Sequence, residues 1–220
     1  MTVAGGAGRS PHRIHIVGGP GSGKTSLATR LAAELGLPLI HLDEIARVGG
    51  GTGPARSMEE RSRDVKGLAA SPAWVTEGVH LGWTDELLER AEVIVWLDHV
   101  GSSVASRRIV TRFLHNAVAE MRRRRGRERF LRLGDYARQL RDLLTGVRET
   151  RGYYPSGGSR MDGPTRSETQ ARLDRLAGPG QELIHCRSAQ DVDRLMARFA
   201  PPTGPIDSPS APPGRDPAVR

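Results

Sequence analysis

The sequence predicts an α/β fold in which a five-stranded parallel sheet is covered by helices on both faces. Two observations predict this class. First, five short apolar segments alternate with longer segments whose apolar residues recur every three or four positions. This alternation favours a parallel sheet, because each parallel connection needs a long crossover that is usually helical. Second, a glycine-rich stretch at residues 18–23 joins the first strand to the first helix.

That stretch begins a full match to the P-loop pattern G-x-x-x-x-G-K-[ST], since residues 18–25 read GGPGSGKT. Glycines in such a loop let backbone N–H groups point at an anion, and the following helix adds the positive end of its dipole. Lys24 would reach the β- and γ-phosphates, and Thr25 would supply a hydroxyl ligand to Mg²⁺. The predicted nucleotide-binding residues are Gly18, Gly19, Pro20, Gly21, Ser22, Gly23, Lys24, Thr25 and Ser26.

The type of cation in the motif supports a functional phosphate site over a chance glycine-rich turn. Of the 33 basic residues, only Lys24 and Lys66 are lysine. A compact ammonium can move among phosphates, whereas a planar guanidinium fits poorly there. One of the two lysines therefore occupies the position where the chemistry requires it.

The predicted strands are short segments rich in apolar or β-branched residues, and several end in an acid or a glycine. They are predicted at residues 14–17, 37–42, 74–76, 93–97 and 182–186.

The predicted helices have apolar stripes and recognisable ends: Gly36 ends the first, and Ser57 with Glu60 forms a capping box for the second. Residues 152–163 are rich in glycine and proline and are predicted to form a loop. The helices are predicted at residues 23–35, 57–70, 84–90, 102–126, 135–149 and 189–199.

Composition indicates one folded domain, residues 12–199, between two disordered tails, residues 1–11 and 200–220. No apolar run is long enough to cross a bilayer, and the N-terminus has no apolar segment that could act as a secretion signal. We therefore expect a cytoplasmic protein without a membrane partner. The single Cys186 lies in an apolar stretch and is interpreted as a buried structural thiol. The histidines lack the spacing of a zinc site.

Three acids follow predicted strands, at the edge where parallel sheets bind ligands. Asp43 is predicted to orient the acceptor hydroxyl or a magnesium-bound water, or merely to cap the next helix. Glu77 is predicted to serve the Mg²⁺ water shell, because a glutamate is unusual at a strand end and Gly78 would let a ligand approach. Asp98 could hold the metal or equally cap the helix that begins near Ser102.

The whole net charge of +8 lies in residues 107–132, which contain ten arginines and two glutamates. Three interpretations are open. Many of these arginines would form a solvated helix face. Arg107, Arg108 and Arg112 could clamp the triphosphate and offset charge during phosphoryl transfer. Residues 122–129 could instead bind nucleic-acid phosphates, although few aromatic residues are available for base stacking.

With these motifs in this order, the chain resembles P-loop kinases of the nucleoside-monophosphate-kinase type. In particular it resembles the bacterial adenylate-kinase-related proteins often labelled DNA topology modulation proteins. The matching segments are residues 14–25 (IHIVGGPGSGKT), 37–43 (LPLIHLD), 74–78 (WVTEG), 90–98 (RAEVIVWLD) and 183–188 (LIHCRS).

The resemblance implies that the P-loop strand is central in the sheet, that ATP is the phosphoryl donor and Mg²⁺ its cofactor, and that an arginine-rich lid at about residues 107–165 covers the phosphates. Lys24, Thr25 and Asp43 match residues of the family's site. Nucleotide kinases of this type often carry an arginine after the third strand that grips the acceptor phosphate. Here the residues that follow Gly78 are Val-His-Leu, and Arg47 is an alternative candidate for that role.

Two functions are consistent with the sequence. The first is a kinase that moves the γ-phosphoryl group of ATP to a small molecule, which could be a nucleotide. In it, Lys24 holds phosphates, Asp43 positions the acceptor, and Thr25 serves Mg²⁺ with Glu77 or Asp98. The second is a nucleotide-dependent regulator or nucleic-acid-binding ATPase that uses residues 107–132 as its contact surface.

Overall fold

The structure, a computed structural model of the chain, describes residues 10–49, 53–80, 82–123, 133–154 and 164–200. Strands and helices alternate in these residues as the sequence predicts. In chain order they are β1 (Arg13–Gly18), α1 (Lys24–Leu35), β2 (Leu39–His41), α2 (Leu42–Ala46), α3 (Met58–Ala69), β3 (Trp74–Glu77), α4 (Asp85–Arg90), β4 (Val93–Leu97), α5 (Ser102–Arg123), α6 (Leu133–Tyr153), α7 (Arg166–Leu176), β5 (Glu182–Cys186) and α8 (Ala189–Phe199).

The five strands form one sheet in the order β2-β3-β1-β4-β5, and every pair is parallel. The predicted sheet, with β1 at its centre, is therefore confirmed. The register places Glu77 of β3 opposite both Ile16 of β1 and His41 of β2. Gly18 pairs with Leu97 at the end of β4. The carboxyl ends of the strands thus meet at one edge, beside the P-loop (residues 18–25).

Helices cover both faces of the sheet because successive strand residues point to opposite sides. Ile14 and Ile16 of β1 belong to a core cluster that includes Leu27 and Leu31 of α1 and residues of α8. Val17 belongs to the second cluster, on the face covered by α2, α3, α4 and α7. Trp74, Trp83 and Trp96 also belong to the core, since each is at most 5% exposed.

The second strand is shorter than predicted. β2 ends at His41, and Leu42 begins α2, so Asp43 and Glu44 lie in the first turn of a helix. Acidic side chains favour this position because they offset the positive end of the helix dipole. Leu42 is fully buried in the second core cluster, which fixes the turn.

Helix α7 was not predicted, and α6 extends into the predicted loop as far as Tyr153. The signal for α7 is present in the sequence: Thr165 and Glu168 form a capping box, as Ser57 and Glu60 do. Residues 155–163 of that loop, residues 124–132, and nearly all of both predicted tails lie outside the described residues.

Cys186 is fully buried, as predicted, and burial raises the pKa of its thiol to about 11. A thiol with such a pKa is unreactive near neutral pH, which agrees with a structural role. Among the described helices, none has the length and apolar character needed to span a bilayer.

The fold makes a testable prediction at the end of α4. Gln181 Nε2 lies 2.6, 2.9 and 2.7 Å from the carbonyl oxygens of Leu88, Glu89 and Ala91, which the helix end leaves unpaired. Gln181→Ala should lower the free energy of unfolding by about 1–3 kcal/mol, because these acceptors lose their donor. Denaturant unfolding measures the loss. Gln190→Ala, at an exposed position in α8, is the matched control. Equal stability of the two variants would contradict this role.

Candidate functional site

The amino end of α1 lacks the groups that normally offset its unpaired N–H donors. Helices α3, α7 and α8 begin with capping boxes, and α2 and α4 carry acids in their first turns. α1 has neither, and its N-cap residue Gly23 adopts the left-handed conformation with φ 97°. The first-turn N–H groups have no intrahelical acceptor, and the dipole adds positive potential. This helix end is therefore suited to an anion supplied by a ligand.

Two polar side chains of the P-loop extend this anion site. Ser22 Oγ is buried and has no hydrogen-bond partner among the described residues. Lys24 Nζ donates to the carbonyl oxygen of Gly19 at 3.2 Å. Burial lowers the pKa of Lys24, and nearby carboxylates, of which Glu77 acts most strongly, partly restore the charged form. The oxygens of a polyphosphate would satisfy the buried hydroxyl, the ammonium and the helix amides together.

Glu77 connects the P-loop to the sheet. Its carboxylate is 7% exposed, and Oε1 accepts hydrogen bonds from Thr25 Oγ1 at 3.2 Å and from His41 Nδ1 at 2.9 Å. His41 must carry its proton on Nδ1 in this contact, because an ionised carboxylate can only accept. The sheet register brings these groups together, since Glu77 is the last residue of β3 and pairs with His41.

These residues fit Mg²⁺ as it is usually bound at phosphate sites. The described part of the chain contains no group of three or more His, Cys, Asp or Glu side chains that could hold a metal ion. Mg²⁺ commonly takes one or two protein oxygens, substrate phosphates and waters rather than an all-protein cage. Thr25 Oγ1 and Glu77 supply such oxygens, one hydrogen bond apart, at the amino end of α1.

Asp98, at the end of β4, is held by an ion pair. Arg166 of α7 contacts both of its carboxylate oxygens at 2.6 Å, and His185 Nε2 lies 2.9 Å from Oδ2. Burial opposes the charged form of Asp98, but these hydrogen bonds outweigh it and lower the pKa of the carboxyl. Of the two roles left open for Asp98, capping of the next helix is wrong, because the carboxylate is bound to Arg166 and His185 and α5 begins four residues later, at Ser102. The acid that contacts the P-loop hydroxyl is Glu77.

Asp43 occupies the open side of the site. Its side chain is 75% exposed, and Oδ1 accepts a hydrogen bond from His80 Nε2 at 2.8 Å. This bond is the main reason that the pKa of Asp43 lies below its usual value, and the charge of Lys24 adds to the effect. The His80 ring lies 4.9 Å from that of Trp83, and the guanidinium of Arg61 lies over the same indole. Asp43 does not cap α2, whose N-cap is His41.

Helix α5 packs directly on the P-loop. A Cβ atom at Gly21 would lie 2.7 Å from the carbonyl oxygen of Ala105, so only glycine allows this approach. Arg108 Nη1 donates to the carbonyl oxygens of Gly21 and Ser22 at 3.3 and 3.4 Å. Of the arginines predicted to act on phosphates, Arg108 therefore contacts the loop backbone in this conformation.

Helix α6 contacts the other part of the P-loop. A Cβ atom at Gly19 would lie 2.4 Å from the ring of Tyr153, whose hydroxyl accepts a hydrogen bond from Trp96 Nε1 at 3.3 Å. The Tyr154 hydroxyl donates to the carbonyl oxygen of Pro20 at 3.5 Å. Both tyrosines are 3% exposed. The segment predicted as a lid thus contributes a buried aromatic wall to the site.

The other two arginines predicted to act on phosphates are Arg107 and Arg112. Arg112 is close enough to Lys24 to lower the pKa of its ammonium, and Arg107 is exposed. From residue 120 to residue 132, the basic segment lies outside the side chains that the structure describes. A nucleic-acid partner for that segment stays a prediction.

Several site residues were missed from the sequence. Glu149 and Tyr153 lie four residues apart on α6, within the amphipathic helix and the start of the predicted loop. His80 was considered only as a zinc ligand. Arg166 follows the Thr165 that caps the unpredicted α7, so recognising that capping box would have placed it at a helix start. His185, in β5, carried no pattern that points to Asp98.

The Asp98 cluster makes a testable prediction about stability and pH. Asp98→Asn should lower the free energy of unfolding at pH 7 by about 1–3 kcal/mol, because it leaves Arg166 without its carboxylate partner. The folded-state pKa of Asp98 is lowered, so its contribution is present above the unfolded pKa of about 3.9 and is lost as the pH falls through the folded value. The difference between the proteins should therefore shrink below about pH 4.

Unfolding curves from pH 2 to 7 measure this effect. Asp174→Asn, at an exposed position of α7, is the matched control and should change little at any pH. A stability loss in Asp98→Asn that does not depend on pH would show that the carboxylate charge is unimportant.

Three solved structures are among those similar to this chain. Shikimate kinase from Acinetobacter baumannii, in complex with shikimate, is 23% identical and covers 75% of this chain and 92% of its own, with a TM-score of 0.37. A gluconokinase from Sinorhizobium meliloti 1021 is 18% identical and covers 86% and 94%, with a TM-score of 0.38. A sugar kinase from Janibacter sp. HTCC2649 is 17% identical and covers 87% and 99%, with a TM-score of 0.39.

No curated protein matches the sequence. Residues 14–148, more than half of the chain, match the family described as the ATPase family associated with various cellular activities (AAA). This range includes the P-loop, all of β1 except its first residue, all of β2 to β4, and the three predicted acids. The fold and the family match together make the protein a P-loop NTPase, and its P-loop lies at the amino end of α1. The chain belongs to the ATPase family associated with various cellular activities.

Proposed function

We propose that this protein is an ATP-dependent kinase that transfers the γ-phosphoryl group of ATP to a hydroxyl group of a small molecule. The observation that supports this most directly is Asp43. Its carboxylate is exposed, kept ionised by His80, and close enough to Lys24 for each to shift the pKa of the other. A fixed, exposed carboxylate near the P-loop lysine can orient the hydroxyl group of a bound acceptor and take its proton during phosphoryl transfer.

On the donor side, the α1 amides, Ser22 and Lys24 would hold the phosphates of ATP. Lys24 would exchange the carbonyl oxygen of Gly19 for phosphate oxygens, which accept a stronger, charge-assisted hydrogen bond. Thr25 would bind Mg²⁺ directly, and Glu77 would bind it through water. The ion would neutralise charge on the β- and γ-phosphates. We prefer Glu77 to Asp98 here because Asp98 is bound by Arg166.

On the acceptor side, Asp43 would accept a hydrogen bond from the reacting hydroxyl. The acceptor oxygen forms a bond to the γ-phosphorus, the bond from that phosphorus to the bridging oxygen breaks, and the electron pair leaves with ADP. The hydroxyl proton passes to Asp43. Because the pKa of Asp43 is low, the carboxylate is a weak base and receives the proton only as the new bond forms.

Helices α5 and α6 would close over the reacting groups. They already contact the P-loop through Ala105, Arg108 and Tyr153. Arg108 would move from loop carbonyls to phosphate oxygens, and Arg107 and Arg112 lie on the same helix to offset transition-state charge. Exclusion of water would protect ATP from hydrolysis. The adenylate-kinase-like character, the relationship to DNA topology modulation proteins and the cytoplasmic location stay predictions.

Acceptor-dependent ADP release tests the proposal, with nucleosides, nucleotides, sugars and small alcohols as candidate acceptors and Lys24→Ala as the background control. With the acceptor identified, Asp43→Asn should lower kcat by about 10²–10⁴, because the amide cannot take the proton. Binding of ATP should change little, since Asp43 lies on the acceptor side. Glu44→Gln removes the neighbouring exposed charge of α2 and should leave kcat unchanged. Full activity of Asp43→Asn, or no stimulation by any acceptor, would overturn the proposal.

A further inference from the structure

We propose that the acceptor is a hydroxyl-rich molecule that carries no anionic group: a neutral polyol or an amino alcohol, and neither a phosphate ester nor a carboxylic acid. This inference rests on the proposed kinase function and names the substrate class of the same site. It follows from the charges that border the open side of the P-loop.

Two carboxylates, Asp43 of α2 and Glu149 of α6, come to that side from different elements: α2 begins directly after the carboxyl end of β2, and α6 packs on the P-loop. Glu149 lies one helical turn before Tyr153, which packs on Gly19, so both are on the same side of α6. The side chain of Asp43 is 75% exposed and that of Glu149 is partly exposed, and both carboxylates act on the charge of Lys24. Partial burial raises the pKa of Glu149, and the charge of Asp43 raises it further. The two acids therefore flank the place where the terminal phosphate would end.

Arg107, Arg108 and Arg112 of α5 serve the phosphates of ATP in the proposed function, and four other described arginines near this place are bound to other groups. Arg47, the candidate from the sequence for an acceptor phosphate, donates to the carbonyl oxygen of Gly53 at 3.1 Å. Arg56 pairs with Asp64 at 2.6 Å. The remaining two have equally specific partners: Arg61 donates to the Ser57 carbonyl and stacks on Trp83, and Arg172 pairs with Asp85.

With the α5 arginines on the phosphates of ATP, an anionic acceptor would meet the charges of Asp43 and Glu149, and the four arginines named above would have to leave their present partners to bind it. Arg47 is near both carboxylates and partly balances their charge. To bind an acceptor anion, its guanidinium would have to break its hydrogen bond to the carbonyl oxygen of Gly53. Like charges brought together across a binding site strongly disfavour the wrong ligand. Ionised carboxylates accept several hydrogen bonds, and hydroxyl or ammonium groups supply the matching donors. The site thus selects for donors and against anions.

Matched acceptor pairs test the inference. Each pair shares a skeleton and differs by one anionic group: an aldohexose against its aldonic acid, a nucleoside against its 5′-monophosphate, and an inositol against an inositol monophosphate. A hexosamine adds the cationic case. With Mg·ATP and the full chain, the kcat/KM of the favoured neutral or amino acceptor should exceed that of its anionic partner at least about tenfold.

Glu149→Gln tests the residue that carries the argument. It should raise KM for the favoured acceptor about threefold to tenfold, because a charge-assisted hydrogen bond becomes a neutral one. It should leave kcat nearly unchanged and reduce the preference over the anionic partner. A residue with only a structural role would not change that preference ratio. Glu34→Gln is the control: it removes an exposed charge about 15 Å along α1 from Lys24, by the helical rise, and should change neither quantity.

The outcomes separate this inference from the kinase proposal. Efficient phosphorylation of an anionic acceptor, with its neutral partner inactive, would overturn the inference and leave the kinase proposal intact. An unchanged preference ratio in Glu149→Gln would overturn the assignment of Glu149. If no compound of either kind is phosphorylated while Lys24-dependent ATP binding persists, both the kinase proposal and this inference are wrong.

Discussion

The central physical constraint in the structure is the positive potential at the amino end of α1. Among the described residues, no side-chain cap and no first-turn acid offsets it, so a bound anion would have to do so. Helices α3, α7 and α8 cap themselves with a side chain, and α2 and α4 carry acids in the first turn. α1 begins after a glycine with a left-handed backbone, next to a buried hydroxyl and a desolvated lysine. A polyphosphate would accept hydrogen bonds from all of these groups at once.

The sheet positions the surrounding elements around the amino end of α1. β1 is central, so its P-loop lies between the ends of β3 and β4, which supply Glu77 and Asp98. α5 and α6 then pack on the loop itself. The glycines of the motif consequently have two functions: they shape a phosphate loop, and at positions 19 and 21 they leave room for Tyr153 and Ala105. Substitution there would disturb the wall of the site as well as the nucleotide.

Most of the fold could be predicted from local signals, because apolar periodicity and capping residues act within a few positions of the chain. The five strands, the central position of β1 and the P-loop are confirmed. The side-chain contacts around the site could not be predicted in the same way. Asp43 and His80, or Asp98 and Arg166, are separated by 37 and 68 positions, and only the tertiary fold brings them together. Asp98 was ambiguous for this reason: its partner lies in α7, whose capping box was overlooked.

The most direct test of the central claim uses the two lysines of the chain. Lys24 is in the P-loop, and Lys66 is exposed at the end of α3, far along the chain from the site. Acylation by an amine-specific reagent, followed by mass spectrometry, reports on both in the same sample. The account predicts that saturating Mg·ATP protects Lys24 and leaves Lys66 unaffected. Equal labelling of Lys24 with and without the nucleotide would contradict the account.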